Sequence, residues 1–213
     1  MEDLAIWKSR AIKAEEELSQ LRAEGEKSKP NLPQPVPVVL DPETTALLVL
    51  DLSNRCSNPA QVCSLLVPRI KEFLPKVRAA KVFTVYTIIT GEVGTPLGKV
   101  WDGFDALPGD PVIAPDAFDK FMGGELYAVL QERGIKTVII TGAATNNAVL
   151  FTATSAAKVH KYNVVIPYDG VIANGKYESE YPFYQLSVMP GGANTLCSFT
   201  TLKGISFRHD ASG

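Results

Sequence analysis

Several residue types are scarce in this chain of 213 residues, and each scarcity argues against a class of site. There are two histidines, His160 and His209, too few for a histidine-rich metal centre. The three cysteines, Cys56, Cys63 and Cys197, are odd in number and show no C-x-x-C spacing. We therefore expect no disulfide framework, no thiolate zinc site, no metal and no cofactor, and we expect a reducing compartment, the cytoplasm.

Excess charge of one sign and long apolar runs are also absent. The 21 Lys and Arg residues are scattered among 23 Asp and Glu residues, giving a net charge of −2. A nucleic-acid-binding protein would carry a basic stripe, so this class of partner is not expected. The sequence has no run of about 18 apolar residues, so it predicts no membrane span. The acidic N-terminus does not resemble a secretory signal.

The N-terminal segment, residues 1–25, predicts an amphipathic helix. Its apolar residues alternate at spacings of three and four, as in a coiled-coil stripe; they are Leu4, Trp7, Ala11, Ala14, Leu18 and Leu21. This stripe can pair with a second subunit or pack on its own domain. We expect a homo-oligomer, a dimer or tetramer, to which the helix can contribute. A proline-rich tether follows at 26–41, and the compact domain is expected at 42–210.

Strand and helix patterns alternate within that domain. Strands are predicted at 46–51, 82–89, 111–113, 136–142, 163–170 and 196–202, and most of them are apolar throughout. Helices are predicted at 59–81, 124–134, 147–162 and 178–188. Continuous apolar strands alternating with helices indicate βαβ units and a parallel sheet covered on both faces.

Ligands of open α/β sheets bind beyond the carboxyl ends of the strands, where the strand order reverses. Asp51 ends the first strand of the domain and is either a loop anchor or a carboxylate able to exchange protons with a ligand. The strand ending at Gly142 leads into a turn whose free N–H groups can hold an anion, although Thr145 or Asn146 can equally be a simple helix cap. Lys120 is adjacent to Asp119, and taken locally this pair is a surface ion pair of little consequence.

Three segments together resemble the isochorismatase-like (cysteine hydrolase) superfamily. They are "ALLVLDLSN" from Ala46, "DKFMGGEL" from Asp119 and "VIITGAATNNAVLFTATSAA" from Val138. The resemblance implies a three-layer α/β/α sandwich around a six-stranded, mostly parallel sheet. Its reversal point lies between the first and fourth strands, which would bring Asp51 beside the turn at 142–147. Many members of the superfamily use an Asp, a Lys and a nucleophilic Cys.

Carried over residue by residue, only the aspartate is retained, as Asp51. The cysteine position, three residues after Thr145 and four before Thr152, holds Ala148, and the lysine position holds Pro115. Lys120 can replace that lysine only if the loop is shifted. The proposed catalytic positions are therefore Asp51, Lys120 and Ala148. The proposed substrate-binding residues come from the motif and the turn: Asn54, Gly142, Ala144, Thr145, Asn146 and Asn147.

Two functions remain open because a thiol nucleophile is missing. The first is an isochorismatase-like hydrolase that acts on a small molecule without a cysteine, with Asp51 as general acid or base. The second is a catalytically inactive protein that binds a small molecule or serves as a scaffold. A third interpretation, an engineered Cys→Ala change at position 148, does not explain Pro115.

Overall fold

The structure is a computed structural model that describes residues 2–27 and 31–208, with side chains described at 6–21 and 31–208. The chain divides into two compact units, one reaching Leu32 and the other starting at Pro33. The first unit contains one helix, α1 (Glu2–Lys27). Leu4 of the predicted apolar stripe, His209 and the predicted domain end at 210 lie outside the described side chains.

The second unit is built on a parallel sheet that confirms the predicted fold class. Its strands run in the order β4–β3–β2–β5–β6–β8, and a short strand, β7, also pairs with β5. Their bounds are β2 (Thr45–Leu50), β3 (Phe83–Thr87), β4 (Val112–Ile113), β5 (Thr137–Ala143), β6 (Asn163–Pro167), β7 (Val171–Ile172) and β8 (Cys197–Thr200). Seven strands replace the expected six because β7 was not predicted.

The strand order reverses between β2 and β5. These two neighbours run in register from Thr45 opposite Thr137 to Leu50 opposite Gly142. The chain moves from β2 outward to β3 and β4, then crosses back to β5 and continues outward to β6 and β8. The carboxyl ends of β2 and β5 are therefore side by side, which confirms the position expected for the reversal point.

Four helices connect the strands: α2 (Val67–Ala79), α3 (Glu125–Glu132), α4 (Leu150–Lys158) and α5 (Lys176–Ser187). Right-handed crossovers put α2 on one face of the sheet and α3, α4 and α5 on the other. On the α2 face, Leu47 and Val49 of β2 pack in one core cluster with Ile70 and Val77 of α2. All six residues of β2 are buried, as its continuous apolar run predicts.

The compact unit begins at Pro33, not at the predicted residue 42. A further strand, β1 (Val38–Leu40), lies inside the segment predicted as a tether and pairs in parallel with β9 (Ile205–Phe207). Tyr168 also donates a hydrogen bond from its hydroxyl to the carbonyl of Pro33. The end of the proline-rich segment is thus part of the folded unit. Among the helices in the described part of the chain, none combines the length and apolarity needed to cross a bilayer.

Candidate active site at the reversal point

Asp51 is the first residue after β2, and its backbone holds its carboxylate in a defined direction. Its φ is +56°, in the left-handed region, which aspartate tolerates better than most residues. Its N–H donates to the carbonyl of Thr87, at the end of β3 (3.1 Å). The hydroxyl of Thr87 donates in return to Asp51 Oδ1 (2.8 Å). The end of the neighbouring strand therefore fixes this carboxylate.

Lys120 is the ion-pair partner of Asp51. Its Nζ lies 2.8 Å from Asp51 Oδ2, and only 3% of the lysine side chain is exposed, against 11% for the aspartate. The same Nζ donates to the carbonyl of Ala117 (3.2 Å). The backbone N–H of Lys120 donates to Thr152 Oγ1 on α4 (3.1 Å). The local interpretation of Lys120 as a surface partner of Asp119 is therefore wrong.

The Asp119 carboxylate has a separate structural role, because it accepts two hydrogen bonds. Its Oδ1 accepts from the N–H of Phe121 (3.0 Å), and its Oδ2 accepts a hydrogen bond from the hydroxyl of Ser155 on α4. The bond from Ser155, together with the bond from the Lys120 N–H to Thr152, anchors the loop before α3 to α4. The anchored loop directs the Lys120 side chain toward Asp51.

The turn after β5 forms the facing wall. Gly142 has φ +126°, and a Cβ at this position would lie 2.1 Å from the carbonyl oxygen of Leu50, so only glycine allows this close approach of the strands. The peptide bond between Ala143 and Ala144 is cis. The carbonyl of Ala144 accepts from the N–H groups of Asn147 (3.0 Å) and Val149 (3.3 Å).

Helix α4 is preceded by one wide turn of π-helix at Thr145–Val149, a feature found frequently at functional sites. Ala148 lies in this turn, and 2% of the residue is exposed. Ala148 and Asp51 line the same cavity.

The cavity itself has a volume of about 880 Å³. It lies at the carboxyl ends of β2, β3, β4 and β5 and is lined by both polar and apolar groups. The lining residues are Asp51, Arg55, Ala60, Gln61, Val62, Cys63, Ile89, Thr90, Pro115, Asp116, Ala117, Phe118, Lys120, Ala143, Ala144, Asn147, Ala148 and Asn174. This volume is within the range of small-molecule sites.

Comparison with known proteins decides the family. The model of the isochorismatase domain matches residues 45–197, which include both β2 and the turn after β5. This chain belongs to the isochorismatase family. Its matched segment begins at the first residue of β2 and ends at the first residue of β8, so it takes in the other six strands of the large sheet in full.

Relatives of this isochorismatase-family chain include hydrolases of small molecules. It is 23% identical to a ureidoacrylate amidohydrolase RutB of Caulobacter vibrioides over 80% of this chain and 95% of the relative. An isochorismatase family protein from Desulfovibrio vulgaris superposes with a TM-score of 0.65 at 22% identity, over 75% and 95% of the two chains. The N-carbamoylsarcosine amidase of Thermoplasma acidophilum superposes with a TM-score of 0.63 at 20% identity, over 75% and 96%. The likeness to these structures shows the common fold.

The structure brings together five of the predicted site residues and leaves four outside the cavity wall. Asp51, Lys120, Ala144, Asn147 and Ala148 line the cavity. Asn54, Gly142, Thr145 and Asn146 do not.

Two of these four residues have evident structural roles: Gly142 allows the close approach of β2 and β5 described above, and Asn54 holds a loop. Asn54 Nδ2 donates to the carbonyl of Pro96 and to Asp102 (3.1 Å), so Asn54 ties down the loop that follows β3. Thr145 is buried, and its hydroxyl has no hydrogen-bond partner among the described residues.

The cavity wall also contains residues that the sequence reasoning missed. Thr90 follows β3, Asp116 and Phe118 follow β4, and Asn174 follows β7. Applying the strand-end rule to every strand would have found all four. Arg55 belongs to the loop after β2, and its guanidinium contacts Glu92 (3.5 Å) and Gln61 (3.1 Å).

The prediction that the cysteines form no disulfide is wrong for one pair. Cys56 and Cys63 are bridged, with their Cα atoms 5.3 Å apart, and Cys63 lines the cavity. The third, Cys197, is a free thiol, and burial raises its pKa to about 12. An odd number of cysteines does not prevent one pair from forming.

Among the residues the structure describes, no three His, Cys, Asp or Glu side chains are grouped to hold a metal ion.

Proposed function

We propose that this protein hydrolyses a small molecule with water as the nucleophile, Asp51 as general base and Lys120 as its acid partner. The observation that carries the proposal is the buried Asp51–Lys120 ion pair, 2.8 Å between charged atoms, on the wall of an open cavity. A buried ion pair is expensive to form and is weak evidence for stability alone. Its position at the reversal point favours a chemical role.

The ion pair can move protons without a net change of charge. Asp51 accepts from Thr87 and Lys120, so it starts as a carboxylate and is poised to act as a base. It takes a proton from a water molecule whose oxygen forms a bond to the substrate carbonyl carbon. As the carbon–nitrogen bond breaks, the Lys120 ammonium gives a proton to the leaving nitrogen. Asp51 then returns the proton from water to Lys120.

The cavity offers hydrogen-bonding groups for the substrate. Within the described residues, the side chains of Asp116, Asn147 and Asn174 have no protein hydrogen-bond partner, yet all three line the cavity. A carboxylate and two amides can bind the N–H and C=O groups of an amide or urea. The names of two similar proteins, a ureidoacrylate amidohydrolase and an N-carbamoylsarcosine amidase, point to the same carbamoyl-amine chemistry. We therefore propose small ureido acids as the first substrates to test.

The alternative is a protein that binds such a ligand without turning it over. Ala148 favours it, since a methyl group stands where the resemblance implies a thiol. Pro115, at the implied lysine position, also lines the cavity, but the ammonium of Lys120 reaches Asp51 from a position five residues later. The lysine function is thus retained by a shifted residue, which favours hydrolysis over simple binding.

Turnover in ¹⁸O-labelled water tests the proposal. Wild-type protein incubated with a panel of ureido acids should release ammonia and a carbamate that decomposes to amine and carbon dioxide. The carbon dioxide should carry one ¹⁸O when it is sampled before it exchanges with water, and intact-protein mass spectrometry should show no covalent adduct. Asp51→Asn should reduce turnover by about a hundredfold or more, because general-base catalysis contributes factors of this size. Asp116→Asn should change KM more than kcat. Ligand binding with no turnover would support the binding protein instead, and turnover that Asp51→Asn leaves unchanged would contradict the role of Asp51.

A cytoplasmic location and a homo-oligomeric state, dimer or tetramer, are part of the proposal. The Cys56–Cys63 bridge makes the compartment testable, because the cytoplasm keeps most thiols reduced. Rapid thiol trapping in cells should find the pair reduced if the location is cytoplasmic. A fully oxidised pair would indicate an oxidising compartment.

A further inference from the structure

Helix α1 carries an apolar stripe whose described side chains are exposed. Every side chain from Ile6 to Leu21 is exposed. The exposed fraction is 66% for Trp7 and 64% for Leu21, and Leu18 is also exposed. Large apolar side chains aligned on one face of a helix mark an interaction surface.

The stripe follows a heptad register. Ala11 and Leu18 occupy a positions, and Trp7, Ala14 and Leu21 occupy d positions. Of the flanking positions, e holds Lys8 and Glu15, and g holds Arg10 and Glu17. These flanking charges select the partner and orientation in a coiled coil.

We propose that the occupant of this stripe is α1 of a second copy of the chain, aligned in parallel. In a parallel pair, each g residue faces the e residue five positions later on the other helix. Arg10 then faces Glu15 of the second copy, and the symmetry axis repeats this opposite-charge contact. The same register assigns Asp3 and Arg22 by sequence to positions facing Lys8 and Glu17, which are also of opposite charge.

An antiparallel pair matches the charges less well. With the apolar layers aligned, Arg10 would face Glu17 and Lys8 would face Glu15, which are favourable. However, position 3 would face position 24, and the sequence has an acid at both. All three kinds of contact are favourable in the parallel pair, so charge complementarity selects it.

The parallel pair is expected to be weak. The stripe spans nearly three heptads, and two of its layers are alanine. Short helices gain little stability alone, so association of α1 should depend on protein concentration. The proposal concerns assembly, and it does not depend on the hydrolase function.

Cysteine cross-linking tests directly whether the two α1 helices are parallel. In a Cys197→Ser background, Ala14→Cys puts a thiol at a d position, where the two copies meet in a parallel pair. Mild oxidation should then give a covalent dimer on a denaturing gel. Ser19→Cys, on the outer face of the helix, is the matched control and should cross-link little. A covalent dimer that forms only when Ala11→Cys and Ala14→Cys are combined would show an antiparallel pair and overturn the proposal. Equal yields from Ala14→Cys and Ser19→Cys would also overturn it.

Charge exchange provides a second, independent readout. Arg10→Glu should raise the protein concentration needed for half-maximal cross-linking of Ala14→Cys by roughly fivefold to tenfold, because two favourable contacts become repulsive. Adding Glu15→Arg should restore it, since the exchanged pair again has opposite charges in the parallel register. In an antiparallel register the double variant would be weaker than Arg10→Glu alone. Circular dichroism should show that the helical content is unchanged in both variants.

Discussion

Asp51→Asn is expected to destabilise the fold because it leaves the Lys120 ammonium buried without its counterion. Only 3% of the lysine side chain is exposed, so water cannot replace the lost carboxylate without local rearrangement. Removing one partner of a buried ion pair typically costs about 3–5 kcal/mol. Asp51 borders the cavity, so we expect the lower end, about 3 kcal/mol. Asparagine tolerates φ +56° and can still accept from Thr87, which limits the change to the charge.

A double-mutant cycle separates the ion pair from other effects. Lys120→Met alone leaves the aspartate unpaired, whereas Asp51→Asn with Lys120→Met removes both charges. The double variant should therefore cost about 2 kcal/mol less than the sum of the two single variants. The free energy of unfolding is measured by urea titration followed by far-ultraviolet circular dichroism.

An exposed ion pair supplies the control. Lys176 and Glu180 lie 3.7 Å apart on α5, and 85% and 44% of their side chains are exposed. Glu180→Gln should cost less than about 0.5 kcal/mol. If Asp51→Asn costs no more than Glu180→Gln, or if the cycle is additive, then the Asp51–Lys120 contact is not the buried, coupled pair described above.

Three further perturbations test two features beside the site and the burial of Cys197. Reducing the Cys56–Cys63 bridge, which closes a loop of sequence separation 7, should lower the free energy of unfolding by about 2.5 kcal/mol; equal urea midpoints with and without reductant would contradict this. Cys197, with its pKa raised by burial to about 12, should react with iodoacetamide at pH 8 about a thousandfold more slowly than a free thiol. Gly142→Ala should cost about 3 kcal/mol or more, since its Cβ would overlap the Leu50 carbonyl, and a near-wild-type urea midpoint would show that the strands separate easily.

Local patterns were enough to predict a parallel sheet and to put Asp51 at the end of a buried strand. The apolar run at 46–50 and the β-branched run ending at Thr141 predict two buried strands, and the structure pairs them from Thr45 to Gly142. A polar residue at the end of a buried strand then falls at the reversal point. The position of Asp51 beside the turn after β5 was predicted from the family resemblance, because local patterns do not give the order of the strands in the sheet.

Contacts between distant segments could not be predicted from local sequence patterns. Lys120 has an acid as its immediate neighbour, yet it pairs with Asp51 because Thr152 holds the loop against α4. Val38–Leu40 follows a run of prolines, and its partner strand is at the far end of the chain. Each contact depends on where the fold brings a remote segment, and local composition does not encode this.

The central claim is that Asp51 and Lys120 hydrolyse a substrate without a thiol, and Ala148→Cys tests it most directly. Wild type and this variant are compared on the same ureido acid panel by ammonia release, with intact-protein mass spectrometry in parallel. We expect turnover by both proteins, with a covalent acyl adduct only on the variant. Turnover by the variant alone would show a competent site that the natural chain does not use, and would contradict the claim.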